Sequence, residues 1–446
     1  MRKALSLIVT ASLVLSLLAG CGTQKDTGSS KTTQKAATQT EQAATTTAPK
    51  EPVTITHLSS KVVSKDFMEK LIADFKTETG ITVQPDYVAV ENYGQVLSTK
   101  IAASEAPDTF QVFPSKSGYF LQGEKNMLLD ITNETWQADV MDGVKAQMMI
   151  NGKIYAIATV QHILPVLYNK KLFKQAGIEK LPTTPEEFMD ICAKLKTAGI
   201  TPLTVMGKNN GLFFETFSMA PALVFGKDME WQRKREAGEV KFQTSEGWKR
   251  VFTLLEDMFK KGYFIDKPNT IGYPESINIF CKGKAAMMML GNWEFTNIQK
   301  SGGTDFEFGG FFFPTEAGVP LVYPGSIGDM FSASADTKYP NESKQFLGYF
   351  GVKRGEDAAV EFGGLPTTKK ADMEKLNPVI KELMPVIQAN KSYTFLGNEW
   401  PSGFGDFCNQ GAQAMMAGKM TVEDILKDAD KQFDDKYKLF KSQGNK

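Results

Sequence analysis

The chain has 446 residues, and Lys plus Arg equals Asp plus Glu at 51 each, so it carries neither a basic field to draw a phosphate backbone nor an acidic tail. Nucleic acid is therefore not an expected partner. Aromatics make up 11% and Phe alone occurs 31 times, enough for a substantial core with rings left over to line a pocket.

The first residues, Met1-Arg2-Lys3, precede an apolar run over 4–19 and then Gly20-Cys21. A basic start, a short apolar core and small residues before a cut are the parts of a secretory signal, and the run is too short to be kept as a membrane span. The stretch Leu17-Leu18-Ala19-Gly20-Cys21 resembles the lipobox of bacterial lipoproteins, in which the cysteine is lipidated and becomes the mature N-terminus. This predicts a signal peptide over 1–20, lipidation at Cys21 and attachment to the extracellular face of the cell membrane through acyl chains. Residues 21–50 are mostly Thr, Gln, Ala, Ser, Lys and Gly with no large apolar side chain, so they are expected to form a disordered tether. Roughly 395 residues of body remain, large for one core and suited to two lobes.

Along the body, residues 53–58 alternate and are β-rich. Phe67, Met68, Leu71, Ile72 and Phe75 then fall at helical spacing over 64–79, ahead of Gly80 as a stop. Residues 81–90 read as a strand, 91–103 as a helix and 109–113 as a short apolar strand. This alternation predicts an α/β body with a largely parallel sheet, whose ligands would sit beyond the carboxyl ends of the strands. Thr184-Pro185-Glu186-Glu187 combines an N-cap, a first-turn proline and a capping acid, and opens a helix running to Gly199. Thr421-Val422-Glu423-Asp424 repeats the device before a stripe of Ile425, Ala429, Phe433, Tyr437 and Phe440. Cys192 shares an apolar helix face with Phe188, Ile191 and Leu195 and is expected to be a buried small hydrophobe. With Cys281 and Cys408, it allows at most one disulfide in the body.

Chemistry-bearing motifs are sparse. The two histidines, His57 and His162, stand far apart, and no C-x-x-C or H-x-x-x-H pattern exists, so neither a metal site nor a cofactor is expected. Pro324-Gly325-Ser326-Ile327-Gly328 has proline where a nucleophile elbow needs its first glycine, and no phosphate-cradling loop occurs. Paired carboxylates leave no mark in a sequence, since any two of the 51 acids can meet in space.

Three stretches, Asn151-Gly152-Lys153-Ile154-Tyr155-Ala156-Ile157, Leu167-Tyr168-Asn169-Lys170-Lys171-Leu172-Phe173-Lys174-Gln175-Ala176-Gly177 and Pro182-Thr183-Thr184-Pro185-Glu186-Glu187-Phe188, resemble the signature region of the family 1 extracellular solute-binding proteins. Ala106-Pro107-Asp108, Phe280-Cys281-Lys282-Gly283-Lys284-Ala285-Ala286-Met287 with Gly291-Asn292-Trp293, residues 325–334 and Met416-Ala417-Gly418-Lys419 follow in family order. The resemblance implies a two-lobed periplasmic-binding-protein-like fold in which each lobe is a sheet flanked by helices and a ligand cleft closes by hinge motion. Aligning these landmarks places the first lobe at 51–163 plus 306–352 and the second at 164–305 plus 353–446.

The same resemblance suggests the ligand residues. A sugar offers hydroxyls and C–H patches, so its site calls for aromatic faces and for charged or amide groups at the ring edge. Trp293 sits at the family's Gly-x-Trp position, with Asn292 and Glu294 beside it. His162 lies where the family places a polar contact; an imidazole there, in place of an acid, keeps hydroxyl recognition but not the charge. Ser60 and Lys61 follow the first strand, and Ser115 and Lys116 follow the third, so all four are expected at the cleft. Phe214 and Glu215, Asp329, Trp400 and Phe404 complete the candidate set. The expectation is a monomeric, non-enzymatic substrate-binding lipoprotein of an ABC importer that delivers a sugar or oligosaccharide to the permease. Alternatives are a receptor for a polyol, sugar acid or polyamine, or a surface-anchored carbohydrate-active enzyme, which would need an acid and base at fixed separation.

Overall fold

The computed structural model describes residues 52–60, 64–210 and 212–442. The signal peptide, Cys21 and the tether expected over 1–50 lie outside the described residues, as does Lys61. Among the described residues no helix is long and apolar enough to cross a membrane.

The strands that carry the architecture are, in chain order, β1 (Thr54–Ser59), β2 (Thr82–Tyr87), β3 (Thr109–Val112), β4 (Ala156–Ala158), β5 (Gln161–Ile163), β6 (Val166–Asn169), β7 (Met287–Met289), β8 (Phe308–Phe311), β9 (Val322–Ile327), β10 (Met330–Ala333) and β11 (Lys391–Tyr393). One sheet has the order β2-β1-β3-β10-β4, a second β8-β6-β7 and a third β11-β9-β5. The largely parallel sheet expected from the sequence is corrected here. Only β1 with β2, β1 with β3, and β9 with β11 run parallel, while β10 enters the first sheet antiparallel to both β3 and β4, and the second sheet is wholly antiparallel. Among the named strands of the described residues, parallel pairing lies in the strand–helix alternation at the start of the body and in β9 with β11, and isolated parallel bridges join Leu203 to Phe264 and to Met287 of β7. β10 makes both antiparallel pairings of the first sheet, and β6 both of those in the second.

The helices form where the sequence places them. In α1 (Lys65–Thr79) Met68, Leu71, Ile72 and Phe75 are buried, and Gly80, at φ 75°, ends the helix with its N–H on the Lys76 carbonyl. A second helix, α2 (Val90–Ala102), follows β2. The N-cap of α3 (Pro185–Thr197) is Thr184, whose hydroxyl accepts from the Glu187 N–H, while the Glu187 carboxylate reaches back to Thr183. The long C-terminal segment Val422–Ser442 opens on a reciprocal box between Thr421 and Asp424, and buries Ile425, Ala429, Phe433 and Phe440.

Two cores divide the molecule. The first lobe packs Ile55, Leu58, Phe75, Phe110, Ile157, Phe331, Phe346 and Phe362 together. The second lobe gathers Phe188, Phe217, Trp248, Trp400 and Phe433 on one side of its sheet, and Leu167, Phe280, Phe308 and Tyr323 in an adjoining cluster. Phe308, Phe312 and Tyr323 share the cluster of Leu167, with β8 bonded to β6, whereas Ile327, Phe331, Phe346 and Phe362 share the core of Ile157. Cys192, Cys281 and Cys408 are free and buried, and Cys192 lies in the second-lobe core.

Three chain segments pass side by side from one lobe to the other. Gln161 exchanges both backbone hydrogen bonds with Leu365 at 2.9 Å, and β5 pairs with β9 so that His162 lies opposite Ser326. These crossings bring residues from distant parts of the sequence to the face where the lobes meet.

Candidate ligand-binding cleft

His162 is carried on β5, the crossing strand. Its Nδ1 lies 3.0 Å from the Asn292 carbonyl oxygen, which also accepts from the Ile163 N–H at 3.1 Å, while the Asn292 amide nitrogen donates to the Gln161 carbonyl at 3.3 Å. Those two backbone bonds fix which end of the amide is oxygen, so His162 Nδ1 is the protonated nitrogen and donates. Its Nε2 faces an Asp329 carboxylate oxygen 3.6 Å away. Asp329 sits on the tight turn between β9 and β10; its other carboxylate oxygen accepts from the Gln111 amide at 2.7 Å, and its carbonyl accepts from the Thr159 N–H at 2.9 Å. Gln111 in turn accepts from the Ser60 N–H and hydroxyl at 2.9 and 2.8 Å. Hydrogen bonds thus join Ser60, Gln111 and Asp329 on one side and His162 with Asn292 on the other, and the two groups approach each other at the 3.6 Å contact of His162 with Asp329. Gly328 makes room for it, since a Cβ there would stand 2.2 Å from the His162 ring.

Trp293 follows Asn292 and is half-buried. Its indole N–H donates to the Tyr273 hydroxyl at 2.9 Å, and that hydroxyl donates to Glu294, also at 2.9 Å. Burial and the neighbouring Glu294 charge hold the Tyr273 phenol well above its usual range, so it stays a neutral donor. His162 stands edge-on to the indole at 5.3 Å between ring centroids, with Phe214 and Phe395 at 6.2 and 6.1 Å. The indole is therefore held by these side chains and by close packing on Gly291 while the residue stays only partly buried.

Phe214 and Glu215 begin α4 (Phe213–Ala220). Phe214 faces Trp293 and Tyr273, but Glu215 is buried, and burial pushes its carboxyl up to about 8, so it is protonated at neutral pH. Lys116, expected to meet the ligand, has its ammonium on two second-lobe carboxylates: Glu236 at 2.6 Å, on α5 (Trp231–Glu236), and Glu399 at 3.4 Å. Ser115 is part-buried beside it, its N–H on the Phe113 carbonyl at 2.7 Å. Trp400 and Phe404 need correction as cleft candidates. They are 2% and 0% exposed and stand among Phe217, Trp248 and Phe433, with the Trp400 N–H on Gln232. Their aromatic spacing matches core packing as well as it matches a binding face.

Gln111, Tyr273, Phe395 and Phe113 were not singled out from the sequence. Gln111 had a signal, a polar side chain in the otherwise apolar run Phe110-Gln111-Val112, now fully buried. Phe113, 39% exposed at the end of β3, presents a ring on the first-lobe side. Among the described residues, no group of three His, Cys, Asp or Glu is placed to hold a metal ion. The arrangement places a partly buried indole beside an imidazole, a carboxylate and amides, and so suits a polar molecule with apolar patches.

The model for the bacterial extracellular solute-binding proteins matches residues 61–356. A multiple sugar-binding protein of Streptococcus mutans is 24% identical over 359 residues, covering 78% of this chain and 83% of that protein. A solved chitin oligosaccharide binding protein superposes with a TM-score of 0.76 at 22% identity, covering 86% of this chain and 99% of the other. RafE solved in complex with raffinose gives 0.74 at 21%, covering 86% and 100%. The chain belongs to the bacterial extracellular solute-binding proteins, non-enzymatic receptors that act as the substrate-binding proteins of ABC importers.

Proposed function

We propose that this receptor captures a neutral oligosaccharide between its lobes and delivers it to a membrane permease, held at the extracellular face of the membrane by a lipid on Cys21. The observation that carries the reading is the half-buried Trp293, held by Tyr273, His162, Phe214 and Phe395 and flanked by hydroxyl-binding groups. A rigid indole face matches the C–H patch of a pyranose ring, and His162, Asp329 and Ser60 offer donors and acceptors at its edge. Phe214 and Phe395 complete the second-lobe side, and Phe113 adds a ring from the first. Asn292, fully buried, positions His162 instead of touching ligand. The sugar-binding names of the relatives support the carbohydrate assignment. A neutral ligand is favoured over a sugar acid because the Lys116 ammonium is already paired with Glu236 and Glu399.

In this reading the lobes divide at the three crossings, near Gln161, Ile327 and Leu365. Isothermal titration of the purified receptor against a glycan panel tests the function. One or more neutral oligosaccharides should bind and be recovered unaltered, whereas a preference for charged solutes would overturn the assignment.

A further inference from the structure

Lys116 is the first-lobe end of a charge cluster whose other members all belong to the second lobe. The Glu236 carboxylate is held before Lys116 arrives: one oxygen accepts from Gln232 at 2.9 Å and the other from the Tyr437 hydroxyl at 3.3 Å. Gln232 is itself fixed, its carbonyl oxygen taking the Trp400 N–H at 3.2 Å. The second acid, Glu399, ends the short helix α6 (Leu396–Glu399). The start of this segment touches the ligand platform, for Phe395 packs on Trp293, and Asn398 donates to Ser326 on the crossing strand β9 at 3.1 Å. Glu236 and Glu399 together form a prebuilt anionic socket facing the other lobe.

A lysine inserted into such a socket contributes only when the lobes are together. Two carboxylates left facing each other when the lobes separate regain water, and the lysine regains mobility. The charge cluster therefore biases the lobe equilibrium and has no need to contact a ligand.

We propose that Lys116, with Glu236 and Glu399, is a latch that holds the two lobes together and is a positioning element for ligand capture. Residues 395–399 couple the latch to the Trp293 platform. Because the latch is electrostatic and partly solvated, it makes lobe closure, and with it the affinity for an uncharged ligand, depend on ionic strength. A neutral ligand gives no other reason for such dependence through its own charge.

This inference builds on the proposed capture between lobes, but it is tested without any ligand. Spin labels at Lys125→Cys and Lys241→Cys, exposed positions in opposite lobes, report the inter-lobe distance by pulsed electron resonance in a Cys21→Ser background; the other three cysteines are buried. In low salt, Lys116→Gln should lower the ratio of short to long distances by about fivefold, and Lys116→Glu by more. Glu399→Gln should act in the same direction, while Lys116→Arg should retain the short population. Raising sodium chloride from about 20 mM to about 500 mM should shift the unmodified receptor toward the Lys116→Gln distribution and leave that variant unchanged. Circular dichroism melts check that each variant folds. Identical, salt-insensitive distributions for the unmodified receptor, Lys116→Gln and Glu399→Gln would overturn the latch. Failure of every sugar to bind would overturn the functional reading and leave this result standing.

Discussion

Truncating Trp293 to alanine separates ligand binding from folding, because the residue is half-buried and not a fully enclosed core side chain. If the indole face stacks under a sugar ring, Trp293→Ala removes a large rigid contact and admits water. The cost to binding is about 2 kcal/mol or more, roughly thirtyfold in affinity. The cost to folding should be smaller. One hydrogen bond to Tyr273 is lost, worth about 1 kcal/mol, and the Tyr273 hydroxyl keeps its partner in Glu294. Trp248 is the internal reference: it is 0% exposed and its indole nitrogen has no partner, so its whole contribution is packing. Trp248→Ala should therefore cost about 3–5 kcal/mol of folding free energy. Titration calorimetry gives affinity and urea denaturation gives stability on the same preparations. Should Trp293→Ala lose as much stability as Trp248→Ala and keep its affinity, the indole is a core residue and the cleft must be rebuilt around other rings.

Three further outcomes are expected. His162→Ala should weaken binding by about 1–2 kcal/mol, the value of one buried hydrogen bond, with the loss read by the same titration; unchanged affinity would remove His162 from the ligand set. The stability profile should respond to pH in opposite senses at two buried groups. Burial lowers His57 from 6.5 to about 3, so its contribution is complete above pH 6.5 and is lost as pH falls toward 3. Burial raises Glu215 from 4.5 to about 8, so its contribution is complete below pH 4.5 and is lost as pH rises toward 8. Each slope is about 1.4 kcal/mol per pH unit, and they oppose one another between 4.5 and 6.5. Relative to the unmodified receptor, His57→Phe should gain stability progressively on acidification and Glu215→Gln on alkalinisation in urea denaturation, and parallel profiles would contradict both burial arguments. A clickable fatty acid should label the unmodified receptor in cells but not Cys21→Ser, and equal labelling would refute lipidation there.

The opening half of the first lobe was legible because its elements carry local signals, the stripe Met68, Leu71, Ile72 and Phe75 and the glycine stop at Gly80, and two second-lobe helices were legible from the threonine caps at Thr184 and Thr421. The antiparallel returns were not. The strands Val166–Asn169, Met287–Met289 and Phe308–Phe311 are three or four residues long and almost wholly apolar, so they lack the alternation that would assign a face or a partner. The site shows the same split. Trp293, His162, Asn292 and Asp329 were placed through motif positions and do meet, although the His162–Asn292 bond spans 130 residues. Gln111 and Tyr273, which orient them, left only weak marks because side-chain bonds between distant strands have no spacing. Trp400 and Phe404 went the other way, since aromatic residues in a row mark a core and a sugar platform alike until burial is known.

The central claim is reversible capture of a neutral oligosaccharide, and titration calorimetry over a panel of neutral, acidic and amino glycans, with each ligand recovered for mass spectrometry, tests it most directly. One or more neutral oligosaccharides should bind and be recovered at unchanged mass. Turnover of a bound sugar, or binding confined to charged solutes, would contradict it.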